Sequence, residues 1–100
     1  MLIRLFSILD SAAEAFNTPF TARTVPEAMR NFTLSVTRDE NVRANARDYV
    51  LYEVGAFDMG TGILDPFTEP KRIFSAAEAI QKFEEHEVER LKELTPAAQR

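Results

Sequence analysis

From Tyr49 to Phe67 the chain reads YVLYEVGAFDMGTGILDPF, and no other stretch narrows the choice of fold so far. Tyr, Val and Leu crowd its first half, glycines punctuate its middle, and Ile63, Leu64 and Phe67 resume the apolar signal. Such residues suit a pleated, partly buried surface, so the stretch reads as two strands joined by a tight turn. Tyr49 and Leu51 lie on one parity of the first strand; Val50, Tyr52, Val54 and Ala56 lie on the other. Apolar groups on both sides predict that both faces are covered, at least in part. Asp58 can hydrogen-bond the turn locally, and Gly60 and Gly62 are free to take positive φ. A hairpin with an irregular or bulged loop is expected here, rather than a two-residue turn.

One hundred residues make a single domain that buries about two-thirds of its unfolded surface. The chain is 45% hydrophobic with eight Phe, enough for one core. The lack of cysteine removes disulfide scaffolds and thiolate metal sites from consideration. Arg4 and Asp10 interrupt a very short N-terminal apolar run, unlike a signal peptide. No segment approaches the roughly 20 apolar residues that span a bilayer, so no membrane partner is expected.

The formal charge of −4 disfavours binding to a polyanion through the charge of the whole molecule. The sign is unevenly spread. Residues 73–100 carry Lys82, Arg90, Lys92 and Arg100 against Glu78, Glu84, Glu85, Glu87, Glu89 and Glu93. Between Arg23 and Arg47 stand five arginines against Glu27, Asp39 and Glu40. A local basic face there would bind phosphate with salt-sensitive affinity; the alternative is an ordinary mixed surface.

Residues 2–9, LIRLFSIL, read as a strand. Ile3, Leu5 and Leu9 share one parity with Ser7, and Leu2, Phe6 and Ile8 share the other with Arg4. Helices should cover one face, leaving the second partly wet or covered by a partner. DSAAEAFNTP is too short for a stable helix and reads as a loop or single turn ending at Pro19, before a short strand near Phe20–Arg23. Thr24 can then cap a helix, with Pro26 in its first turn and Glu27 three residues beyond the cap. Val25, Met29, Phe32 and Val36 recur at helical spacing beside Ala28, predicting a helix over about residues 25–38.

DENVRANARD, residues 39–48, is polar enough for a surface loop with an irregular turn around Val42–Ala46. Beyond the hairpin, TEPKR at 68–72 reads as a compact turn, because Pro70 discourages an uninterrupted strand. Ser75 and Glu78 form a capping box for AAEAIQKFEEHEVERLKEL, the strongest helical run in the chain. Ala76, Ala77, Ile80, Phe83, Val88 and Leu91 share a broad sector with Glu84 and Glu87, so burial should fade after Phe83. Residues 84–100 are then an acidic helical extension, with Val88 and Leu91 as candidate partner-facing residues. Pro96 cannot extend the helix cleanly, and Gln99 and Arg100 should fray.

Enzymatic chemistry finds little to build on. Glu53, Asp58 and Asp65 have no spacing that sets an acid and a base on opposite sides of a substrate. Asp58, Gly60 and Thr61 lack the calcium-loop pattern, the single His86 has no HExxH partner, and Gly60-Thr61-Gly62 is no phosphate-loop signature. Neither metal nor cofactor is expected. Nucleic-acid binding has more support: Arg23, Arg30, Arg38, Arg43 and Arg47 can contact phosphates, and Phe16, Phe20, Tyr49 or Tyr52 can stack on unpaired bases. In the alternative the aromatics are core and the arginines solubilise the surface, with Arg43 and Arg47 paired to Asp39, Glu40 or Asp48.

Three segments in order, LFSILDSAAEAFNTPF at 5–20, EAMRNF at 27–32 and DYVLYEVGAFDMGTG at 48–62, carry a family pattern. It resembles the small nonstructural proteins of gokushovirus-type microviruses, single-stranded DNA bacteriophages, often described as DNA-binding. Asp10-Ser11-Ala12-Ala13 and Pro19-Phe20 match its early D-S-x-A and P-F elements. Glu27, Ala28, Arg30 and Phe32 match E-A-x-R-x-F. Asp48, Tyr49, Leu51, Tyr52, Glu53, Val54, Gly55, Phe57 and Asp58 match the most telling element, followed by Thr61-Gly62 and Pro70-Lys71. The resemblance covers roughly residues 3–80 and supplies no catalytic or metal residues. It implies a nonenzymatic phage protein acting on single-stranded DNA in the host bacterial cytoplasm. Family members commonly finish soon after a short alanine-containing helix, whereas this chain continues through Glu84–Arg100, so the resemblance assigns that part no role.

The expected fold is one α+β domain, residues 1–100, in the order ββαββα, with an antiparallel sheet of about four strands and helices mainly on one face. Its second sheet face is apolar enough to favour a homodimer. Single-stranded DNA binding through Arg23, Arg30, Arg38, Arg43, Arg47, Phe20, Tyr49 and Tyr52 is the first functional expectation. The alternative is an interaction or assembly module that meets a phage or host protein through the sheet face or the acidic helix.

Overall fold

The computed structural model describes residues 1–94; the expectations for Pro96, Gln99 and Arg100 lie outside them. Strand β1 (Leu2–Asp10) runs through the middle of an antiparallel sheet. Along one edge of it pair β2 (Ala15–Phe16) and then β3 (Phe20–Ala22); along the other lies β4 (Tyr49–Asp58), itself paired with β5 (Leu64–Ser75). Because β2 and β3 share an edge, the sheet is four strands wide, and the α+β class holds. Helices α1 (Val25–Arg38), α2 (Glu40–Ala44) and α3 (Ala76–Leu94) complete the order, with a 3₁₀ turn at Ala46–Asp48.

Local chemistry starts each long helix where the sequence places it. The Glu27 amide donates to Thr24 Oγ1 at 3.2 Å, with Pro26 in the first turn. At α3 the capping box closes in both directions: the Glu78 amide donates to Ser75 Oγ and the Ser75 amide to the Glu78 carboxylate. The Arg72 guanidinium also grips that carboxylate. Together with the Ser75 amide it holds Glu78 below the ordinary carboxyl range, against a smaller opposing effect of burial. Residues 39–48 depart from the expected loop. Asp39 caps α2 by accepting from the Asn41 and Val42 amides, and Val42 and Ala46 pack on the core, so two apolar anchors fold an otherwise polar segment.

The core lies between the helices and one sheet face. Phe6 and Leu51 from the sheet meet Phe32 from α1, and the Phe32 ring lies 5.6 Å from Phe74 of β5. Ala28, Ala76 and Ala79 are buried where the helices approach closely. Each large side chain removed from water here contributes roughly 1.5–3 kcal/mol.

A bulge in β4 alters the expected parities. Leu5 pairs with Gly55 but Phe6 pairs with Glu53, leaving Val54 as the extra residue. Beyond it the alternation is reset, so Ala56 joins Tyr49, Leu51 and Glu53 on the helix-covered side instead of Val50 and Tyr52. Glu53 is 5% exposed, with the Arg4 guanidinium 3.7 Å from its carboxylate.

The strand opposite responds at the same place: Glu53 pairs with Lys71 and Gly55 with Pro66, so residues 67–70 swing out of the ladder. The turn expected at 68–72 is therefore an outward excursion within one strand. Pro70 is tolerated there because an unpaired edge asks no amide of it. The hairpin loop runs over residues 59–63, with the Gly60 amide donating to Asp58 Oδ1 at 2.8 Å. Of its two glycines, Gly62 alone takes a positive φ, at 78°.

No helix covers the other sheet face. Ile3, Leu5, Leu9, Val50, Tyr52 and Phe57 share it through their pairings, each half-buried, and none packs into the core. The partial cover expected on both sides of the Tyr49–Ala56 strand is present, with helices packed on one side and half-buried side chains without a helix over them on the other.

Candidate nucleic-acid interface

The arginines predicted to touch phosphate are all exposed and all belong to the helical layer or its entrance. Arg23 precedes α1, Arg30 and Arg38 project from it, Arg43 stands on α2 and Arg47 in the 3₁₀ turn. Among the described residues Arg23, Arg30, Arg38 and Arg47 have no ion pair or hydrogen bond. Arg43 donates to the Thr37 carbonyl at 3.1 Å and lies 3.9 Å from Glu84, an exposed pair of small energetic weight. Asp39, a partner expected for Arg43 or Arg47, spends its carboxylate on the α2 cap.

These cations fall into two places. Arg43 and Arg47 line one depression of about 390 Å³ beside Ala77. Arg30 lies instead in a groove of about 260 Å³ between α1 and α3, whose other walls include Thr33, Lys82, Phe83 and His86. Lys82 and His86 are one helical turn apart on α3 and so point to the same side. No carboxylate lines this groove. Phe83, 37% exposed, supplies an aromatic surface between them. Lys82 Nζ sits 5.9 Å from the centre of the Phe74 ring, which holds its charge at the groove wall.

The predicted aromatics do not join this surface. Phe20 stacks on Phe6 with ring centres 5.9 Å apart and lines a small slot with Ile8 and Phe32. Tyr49 packs against the core from the helix-covered face. Tyr52 lies on the uncovered face, its ring edge-on to Phe16 at 5.4 Å. The groove aromatic is Phe83, which the helical pattern assigned to a buried sector. Its signal was present in the spacing of Lys82, Phe83 and His86 on one side of α3, but Arg30 stands far away in sequence and meets them only through the packing of the two helices.

Val88 and Leu91 are exposed. Val88 lines a separate depression with Gln81, Glu84, Glu85, Glu89 and Lys92, so α3 turns Lys82 and His86 toward α1 and mostly carboxylates to another flank. Among the described residues, no group of three or more His, Cys, Asp or Glu could hold a metal ion, and no helix is long and apolar enough to cross a membrane.

No curated protein and no solved structure matches the chain. The family model for the phage ORF5 protein matches it over residues 3–79, a span that holds all of the sheet but Leu2, together with α1, α2 and the start of α3: the chain belongs to the phage ORF5 protein family.

Proposed function

We propose that this phage protein is nonenzymatic and binds single-stranded viral DNA, with the α1–α3 groove as the contact surface, during genome replication or packaging in the host bacterial cytoplasm. The observation that carries the reading is the gathering of Arg30, Lys82 and His86 around the exposed Phe83 ring, with no carboxylate in the wall. Arg30 and Lys82 take adjacent phosphates and Phe83 stacks on the base between them, the combination of cation and aromatic that single strands require. The resemblance to DNA-binding proteins of gokushovirus-type phages supports the same reading. A net charge of −4 makes the binding local and salt-sensitive.

Fluorescence anisotropy with a labelled oligothymidylate tests it. Two phosphate contacts give a slope of log affinity against log salt of about −1.4, or a loss of roughly sevenfold from about 50 to 200 mM salt. Phe83→Ala removes one stacking contact, about 1–3 kcal/mol, and Lys82→Glu flattens the salt dependence. Absence of binding at low salt overturns the proposal; binding unaffected by both variants moves it off this groove. A second reading, an assembly module, rests on the uncovered sheet face.

A further inference from the structure

We infer that the uncovered sheet face is the contact surface of a homodimer, two copies meeting face to face with their helices outward. Ile3, Leu5, Leu9, Val50, Tyr52 and Phe57 present an apolar surface on the side of β1 and β4 away from the core. Ser7 lies beneath them, 2% exposed, its hydroxyl donating to the Asn17 carbonyl at 2.6 Å, so it brings no lone donor to the contact. Arg72, opposite Tyr52 at the β5 border, is engaged by Glu78. The centre of the face therefore carries no ionised group, which suits an identical surface and offers nothing to select a charged partner.

The dimensions agree. Four strands about 4.8 Å apart and nine residues rising about 3.3 Å each make a face of roughly 600 Å². Two copies would bury up to about 1,200 Å², the lower bound of a stable interface. Strand-to-strand association is discouraged instead. The β5 edge carries Pro66 and Pro70 and leaves the ladder between residues 67 and 70, and the opposite edge is divided between β2 and β3. Sheets packed in this way lie about 10 Å apart. The helical layers, and with them the two α1–α3 grooves, then face opposite directions.

Sedimentation equilibrium across a wide concentration range tests the inference, with Leu5→Lys and Val50→Lys as perturbing variants and Val88→Lys as a control on α3. The expected result is a wild-type dimer, association weakened on the order of 100-fold by either face variant, and an unchanged control. Thermal melts establish that the variants fold. If they do not, Val50→Cys in this cysteine-free chain answers by its maleimide reactivity, which should fall as protein concentration rises. A wild-type monomer at high concentration, a dimer indifferent to the face variants, loss of the dimer in the control, or labelling independent of concentration would each overturn the inference.

Discussion

Substituting alanine at each of the three glycines separates a close approach from a turn. At Gly55 a new Cβ would stand 2.6 Å from the Asp65 carbonyl oxygen and 3.0 Å from Pro66 Cα. Both are backbone atoms, so relief requires β4 and β5 to part where their register already changes. Overpacking of this kind costs about 2–3 kcal/mol. At Gly62 there is open space but a φ of +78°, and the left-handed conformation costs alanine about 1 kcal/mol. At Gly60 the nearest atom is the Asp58 carboxylate oxygen at 3.3 Å, the tip of a side chain that can yield. The change there should stay within about 0.5 kcal/mol, offset by the lower entropy of the unfolded chain. Urea unfolding at one fixed protein concentration reads the series. With a denaturant slope of about 1–1.5 kcal/mol per molar, the midpoint falls by about 2 M for Gly55→Ala, somewhat under 1 M for Gly62→Ala, and hardly at all for Gly60→Ala. A Gly55→Ala midpoint no lower than that of Gly60→Ala would refute the close packing of β5 against β4.

Phe32→Ala removes a ring that is 1% exposed and in contact with Phe74; it should cost about 3–5 kcal/mol by the same unfolding assay, and Phe32→Asp more, because it also buries an unpaired carboxylate. Glu78→Gln tests the α3 cap through pH. A carboxyl held below its ordinary value of 4.5 contributes stability that is complete above that pH and lost as pH falls through the lower folded value. The wild-type melting temperature should therefore decline more steeply than the variant's across the acid range, with little difference in slope at neutral pH. Replacing Glu84 and Glu85 together by Gln should tighten oligonucleotide binding about two- to threefold at low salt, an effect that vanishes as the screening length falls below about 10 Å.

Much of the fold was legible because the chain states it locally. Thr24, Pro26 and Ser75-x-x-Glu78 marked helix starts with side chains that make the expected hydrogen bonds, and apolar spacing fixed the buried stripe of α1 at Ala28, Phe32 and Val36. Less legible was whatever depended on a distant segment. Val54 looks like any other strand residue, and nothing local marks it as the bulge that returns Ala56 to the helix side. Pro70 read as a turn because its position on an edge strand is a property of the sheet. Tyr49 and Tyr52 fall on opposite parities, so their division between two faces was legible; which of the two the helices cover is visible only once the register with β1 is known.

The candidate interface follows the same logic at the level of charge. Summed along residues 73–100, α3 is acidic, and a count of that kind argues against a polyanion. Around the helix axis the charges separate: Lys82 turns toward α1, while Glu84 and Glu85 line another flank, Glu84 near Arg43. A phosphate approaching within a few ångströms meets the near side of the helix at close range, and the far side through solvent that screens it over about 10 Å at 0.1 M salt. The local sign therefore outweighs the net charge at the groove, whereas at long range the −4 molecule repels nucleic acid. On the proposed reading, such a surface would gain affinity from contact and little from steering, unlike a uniformly basic binder.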